Sequence, residues 1–100
     1  MSFQRERYSQ TPGVRIRPVP ELGICVVFTP APPQLFNLNP HAWLILELAP
    51  GQTYEELETR YLARVVPPLT DVVARRQLEE GLQQLVRCGI IASRASEPEI

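Results

Sequence analysis

Apolar residues change their spacing once along this chain, near residue 39. Before that point they alternate with polar residues or run continuously. After it they recur every three or four positions. Val14-Arg15-Ile16-Arg17 alternates apolar and basic side chains, the period of a half-exposed strand. Pro18 and Pro20 remove backbone donors there, which predicts a sheet edge or a strand end. Glu21-Leu22-Gly23 is a turn. Ile24-Cys25-Val26-Val27-Phe28-Thr29 is β-branched and aromatic, and apolar on both faces, so it predicts a strand covered on both sides. Pro30-Ala31-Pro32-Pro33 is a stiff connector, and Gln34 to Leu38 returns as a third strand. Connections this short allow only antiparallel pairing.

Three helices follow, each with a start signal. Asn39 offers a cap oxygen, Pro40 suits the first helical position, and Ala42, Ile45, Leu46 and Ala49 form a stripe that Pro50-Gly51 ends. Thr53-Tyr54-Glu55-Glu56 matches a capping box before Leu57, Tyr61 and Leu62. Val65 to Leu69, with two prolines, breaks that helix. Thr70 caps the third, Asp71 complements its dipole, and Ala74, Leu78, Leu82 and Leu85 form its core stripe. Gly89 is a natural C-terminal cap, after which Ile90-Ile91 packs back or adds a short strand.

The order predicts an α+β domain over residues 14–91: a three-stranded antiparallel sheet followed by a three-helix bundle, a winged-helix-like arrangement with the sheet first. Polar residues 1–13 and 92–100 read as flexible tails. The expected core is Val26, Phe28, Phe36, Leu38, Ile45, Leu57, Leu78, Leu82 and Leu85.

Composition narrows the function classes. One hundred residues suit one small domain, and 44% hydrophobic residues suit a packed core. Ten basic residues against eleven acidic ones give a net charge of −1, which disfavours a nucleic-acid partner. No apolar run is long enough to span a bilayer, and Met1 to Gln10 has no apolar secretory core, so the expectation is a cytoplasmic protein with no membrane partner. Cys25 and Cys88 fit small buried groups kept as thiols. With one histidine and no Cys-x-x-Cys there is no zinc constellation, and no nucleophile, phosphate loop or paired acid stands out. His41 reads as a solvent-facing side chain. The expectation is a non-enzyme without metal or cofactor.

Three surfaces remain. Gln34 to Leu38 carries neither charge nor proline, which leaves an open strand edge unless a tail or a second copy covers it as a homodimer. The third helix has a second face with Val72, Arg75, Arg76, Glu79, Gln83 and Val86. The first helix adds Trp43 and Leu44 to its stripe and is apolar nearly all round, which reads as burial or as a docking anchor for a partner.

The chain also resembles a known family. Leu38-Asn39-Pro40-His41-Ala42, then Ile45-Leu46-Glu47-Leu48, Gly51 and Thr53 to Leu57 follow the order seen in PqqD-like proteins, the RiPP recognition elements. Arg17-Pro18-Val19-Pro20 before a hydrophobic strand, and the closing Leu82 to Ile91, are similar too. The resemblance covers roughly residues 14–91. It implies a peptide chaperone that binds the leader of a ribosomally made, post-translationally modified precursor and presents it to a modifying enzyme, often a radical S-adenosylmethionine maturase. The leader would add as a strand to Gln34, Leu35, Phe36, Asn37 and Leu38 and lie against Val72, Arg75, Arg76, Glu79 and Gln83 of the third helix. Trp43 and Leu44 would then face the maturase. The Pro30–Pro33 connector and the stiff break at Val66–Leu69 depart from the family pattern at the mouth of that groove. The alternative from a different class is a winged-helix DNA-binding regulator. Arg75 and Arg76 are offset by Asp71, Glu79 and Glu80, which favours peptide over DNA.

Overall fold

The computed structural model describes residues 6–95, in the order β1 (Glu6–Gln10), β2 (Arg15–Val19), β3 (Ile24–Pro30), β4 (Pro33–Leu38), α1 (Pro40–Leu48), α2 (Tyr54–Val65), α3 (Asp71–Arg87) and β5 (Ile91–Ala95), with one 3-10 turn at Pro20–Leu22. β2, β3 and β4 form the expected antiparallel sheet, with β3 central. A second sheet was not expected. β1 pairs antiparallel with β5, Glu6 opposite Ala95 and Gln10 opposite Ile91. Residues 6–10 and 92–95 are therefore strands rather than tails; residues 1–5 and 96–100 lie outside the described part. The fold is α+β. Among the described residues no helix is long and apolar enough to cross a membrane.

Local chemistry sets the helix starts. The Asn39 side chain accepts from the Ala42 N–H at 2.9 Å, with Pro40 in the first turn. Thr53 Oγ1 accepts from the Glu56 N–H at 3.2 Å, and the Thr53 N–H donates to Glu56 Oε1 at 3.0 Å, a complete capping box. Thr70 accepts from the Val73 N–H. At the far end of α3 the Gly89 N–H bonds the Val86 carbonyl and the Ile90 N–H bonds the Leu85 carbonyl, both at 3.0 Å, with Gly89 at φ +79°. That pair of bonds is a Schellman cap, and the positive φ explains the glycine. The cap turns the chain into β5.

β1 is stitched to the α1–α2 connection. The Tyr8 N–H donates to the Gln52 carbonyl at 3.0 Å, the Gly51 N–H donates to the Tyr8 carbonyl at 2.8 Å, and the Arg7 guanidinium reaches the Gly51 carbonyl and Glu56.

The core combines Cys25, Val27 and Leu38 of the sheet with Ile45, Leu46, Leu57, Tyr61, Leu78 and Leu85 of the helices, and with Ile90 and Ile91. Two expectations are corrected. β3 is covered on one face only: Cys25, Val27 and Thr29 are buried, whereas Ile24, Val26 and Phe28 are half-exposed. Val26 and Phe28 therefore lie outside the core, and Phe36 only borders it. The register explains the difference. Arg15 stands opposite Phe28 and Arg17 opposite Val26, so the aliphatic stems of two arginines share that outer face in place of a packed layer.

Candidate functional site

β4 is an edge of the three-stranded sheet, with no strand on its far side among the described residues. Which of its backbone groups are free follows from a proline two strands away. Pro18 lies opposite Cys25 and has no N–H to donate. The bonded pairs of β2 and β3 are therefore the alternate ones, Arg15–Phe28, Arg17–Val26 and Val19–Ile24. The Arg17 backbone N–H accordingly points toward β3; the neighbouring Cys25 thiol is pushed up by burial and then by Glu47, with the Arg17 N–H opposing. Successive residues of a strand direct their backbone groups to opposite sides, so Cys25, Val27 and Thr29 bond β4 through Leu38, Phe36 and Gln34. This leaves Leu35 and Asn37 with N–H and C=O groups directed at the open edge.

Beside that edge is a cleft of about 440 Å³ between β4, the start of α1 and one flank of α3. Its apolar lining includes Phe36, Leu38, Ile45, Leu85 and Ile90. Asn37, Asn39 and His41 line it on one side; Gln77, Glu80, Gly81, Gln84 and Cys88 line it from α3. Gln77 is tethered from beneath, since the buried Tyr61 hydroxyl donates to its Oε1 at 3.4 Å. Gly81 keeps the helix wall low where Ile45 approaches.

The expected peptide-binding residues divide. Phe36, Asn37 and Leu38 line the cleft, whereas Gln34 and Leu35 do not, and Leu35 is 69% exposed. None of Val72, Arg75, Arg76, Glu79 and Gln83 lines it. Arg75 turns to α2, where its Nε donates to Glu58 at 3.0 Å. Glu79 lies near Tyr54, whose hydroxyl is buried without a hydrogen-bond partner among the described residues. Burial and the carboxylates of Glu79 and Glu58 push that phenol up to about 12. Gln83 borders a shallower hollow with Tyr8, Val86, Arg87 and Ser93. Val72 and Arg76 are exposed, and Trp43 and Leu44 are half-buried against the core. The core stripe of α3 has two flanks, and the one facing β4 is Gln77–Gly81–Gln84–Cys88, on the other side of Leu78 from Arg75 and Glu79. The signal in the sequence is Gly81, a residue unfavourable inside a helix unless something approaches closely. His41 is exposed, as expected, and stands at the cleft.

Among the described residues no group of three or more His, Cys, Asp or Glu is placed to hold a metal ion. Compared with known proteins, the chain matches no family model, no curated protein and no solved structure.

Proposed function

We propose that this domain binds an extended peptide as an added strand on β4, with side chains of the peptide entering the cleft against α3. The observation that carries the reading is the free edge itself: Leu35 and Asn37 present unpaired donors and acceptors directly beside an apolar-floored cleft, on a strand with no charge or internal proline to block pairing. Backbone bonds to Leu35 and Asn37 supply affinity, and every second peptide side chain reads the cleft. The resemblance to PqqD-like proteins gives the ligand a class, the leader of a ribosomally synthesised precursor, and the partner a class, a modifying enzyme of the radical S-adenosylmethionine type. In that reading the three-stranded sheet with α1 to α3 is a winged-helix-like unit, the domain is a non-catalytic chaperone of the cytoplasm, and Trp43 and Leu44 are available to the enzyme. DNA recognition has less support, because Arg75 is engaged by Glu58 and the cleft wall carries Glu80.

The test is an NMR titration with a synthetic leader from a short peptide encoded beside the gene. The expected result is that amide shifts concentrate at Leu35, Asn37 and the Gln77–Cys88 flank. Shifts confined to α2 or to the β1–β5 ribbon would overturn the site, and tight, salt-sensitive binding of nonspecific duplex DNA would replace the function.

A further inference from the structure

We infer that the β4–α3 cleft selects a peptide with a basic side chain two residues from an apolar one, and that Glu80 is the selecting group. The inference rests on the peptide-binding reading above and adds the charge of the ligand to it. Under the resemblance, with Arg75 and Arg76 of α3 lining the groove, those arginines would instead pair with acidic leader side chains. The geometry removes both arginines from the cleft and gives Arg75 to Glu58. Among the described residues no arginine lines the cleft, and its acidic group is Glu80. Glu80 is exposed, and among the described residues it makes neither a salt bridge nor a hydrogen bond, so its carboxylate is free to accept.

One feature of the opposite wall bears on an anion. The cleft also meets the N-terminus of α1, and helix N-termini attract negative charge. Here that terminus is already used. Pro40 has no N–H, the Ala42 N–H donates to Asn39 Oδ1 at 2.9 Å, and the Trp43 N–H donates to the Asn39 carbonyl at 2.9 Å. The dipole therefore offers an acidic ligand little beyond the His41 N–H.

The spacing follows from strand and helix geometry. Side chains on one face of an added strand are two residues apart, roughly 7 Å. Positions i and i+4 of a helix are about 6 Å apart. A strand seated on Leu35 and Asn37 that places an apolar side chain over Ile45 and Leu85, where Ile45 packs close on Gly81, brings the next same-face side chain to the Glu80–Gln84 rim. A lysine or arginine there makes a charge-assisted bond to Glu80, and the Gln84 carboxamide adds a neutral acceptor.

The experiment is selection of an mRNA-displayed library of randomised decapeptides against the intact protein, followed by NMR mapping of the enriched peptides. The expected winners carry Lys or Arg two positions from an apolar residue and shift Leu35, Asn37 and Glu80. Glu80→Gln weakens a winning peptide about tenfold at low ionic strength, as losing one charged hydrogen bond does. Glu80→Lys turns the selection toward Asp and Glu, and circular dichroism confirms that both variants fold. Winners that map to β4 and α3 but carry acidic residues, or that bind Glu80→Gln unchanged, overturn the charge assignment and leave peptide binding standing. Winners that map elsewhere, or the absence of any winner, overturn the peptide-binding site and the assignment with it.

Discussion

A methyl group on Gly81 would stand 2.6 Å from Ile45 Cδ1, closer than two carbon atoms approach. The α1–α3 contact therefore depends on a hydrogen at this position of α3. Alanine in place of glycine favours a helix by about 1 kcal/mol, while forcing Ile45, fully buried, out of its place opposes it. Ile45→Val removes the obstructing Cδ1 and alone costs about 0.5–1.5 kcal/mol. The expected result of a double-mutant cycle by urea denaturation is positive coupling: Gly81→Ala stabilises the Ile45→Val protein more than it stabilises the parent. Additive behaviour would show that the backbone relaxes instead. Gly81→Leu, which also projects into the cleft, should cost about 1–3 kcal/mol and weaken peptide binding beyond that loss.

Glu56 ties the start of α2 to β1. Its carboxyl is held below the usual range first by the Thr53 N–H, with desolvation opposing, and further by Arg7 and Arg60. A depressed folded pKa contributes stability that is present above the unfolded value, near 4.5, and is lost as pH falls through the folded value. Glu56→Gln keeps the shape and the bond to Thr53 but not the charge. The parent should be the more stable of the two at neutral pH, and the gap should close as pH falls below that range. A gap that persists in acid would assign the effect to packing.

Tyr54 gives the alkaline counterpart. Its hydroxyl is buried with no partner among the described residues, and its phenol is pushed up to about 12, first by burial and then by Glu79, Glu58 and Tyr8, with Arg75 pulling weakly the other way. A folded pKa above the unfolded 10 contributes stability fully present below pH 10 and lost as pH rises toward 12. Tyr8 and Tyr61 are shifted in the same direction, mainly by burial. Tyrosinate absorbance should therefore stay low past pH 10 and rise together with loss of the fold. Tyr54→Phe removes an unsatisfied buried hydroxyl, so it should be neutral or stabilising at pH 7 and should delay alkaline unfolding. A phenol that ionises reversibly at pH 10 in the folded protein, and disappears in Tyr54→Phe, would contradict this.

The parts of the fold that were legible in the sequence are those set by neighbours. Asn39, Thr53 and Thr70 start helices through contacts three residues away, and a proline-rich connector leaves β3 and β4 no choice but a hairpin. The β1–β5 ribbon was not legible. Its strands meet across the whole chain, Ser93 to Glu6 being 87 positions apart, and Glu6-Arg7-Tyr8-Ser9-Gln10 has no apolar alternation to announce a strand. Backbone bonds from Tyr8 to Gln52 and Gly51 hold it instead, and these leave no mark on side-chain pattern. The site was half legible for a related reason. An uncharged edge strand can be read directly, but the two flanks of Leu78 on α3 are equivalent until α1 docks. The charged flank, with Arg75 and Glu79, does not line the cleft but bonds α2 and borders Tyr54.

The edge assignment separates two neighbouring residues of β4. Phe36 directs its N–H to Val27 of β3, and Asn37 directs its N–H to the open side. Proline deletes that donor in either case and is tolerated in a sheet only where the donor faced outward. Phe36→Pro should leave a β3 carbonyl unsatisfied and cost about 1–3 kcal/mol of stability, seen as a lower urea midpoint. Asn37→Pro should melt close to the parent yet lose most of its affinity for an edge-bound peptide, because one of the two donors offered by the edge is gone. Asn37→Ala keeps the N–H and should bind far better than Asn37→Pro, which separates the backbone donor from the Asn37 side chain. Fluorescence anisotropy with a labelled peptide, beside melts of all three variants, is the measurement. If Asn37→Pro binds as the parent does while Asn37→Ala fails, the peptide reads the side chain and does not join the sheet. If Phe36→Pro is the variant that stays folded, the alternation along β4 is reversed and Gln34, Phe36 and Leu38 form the open edge.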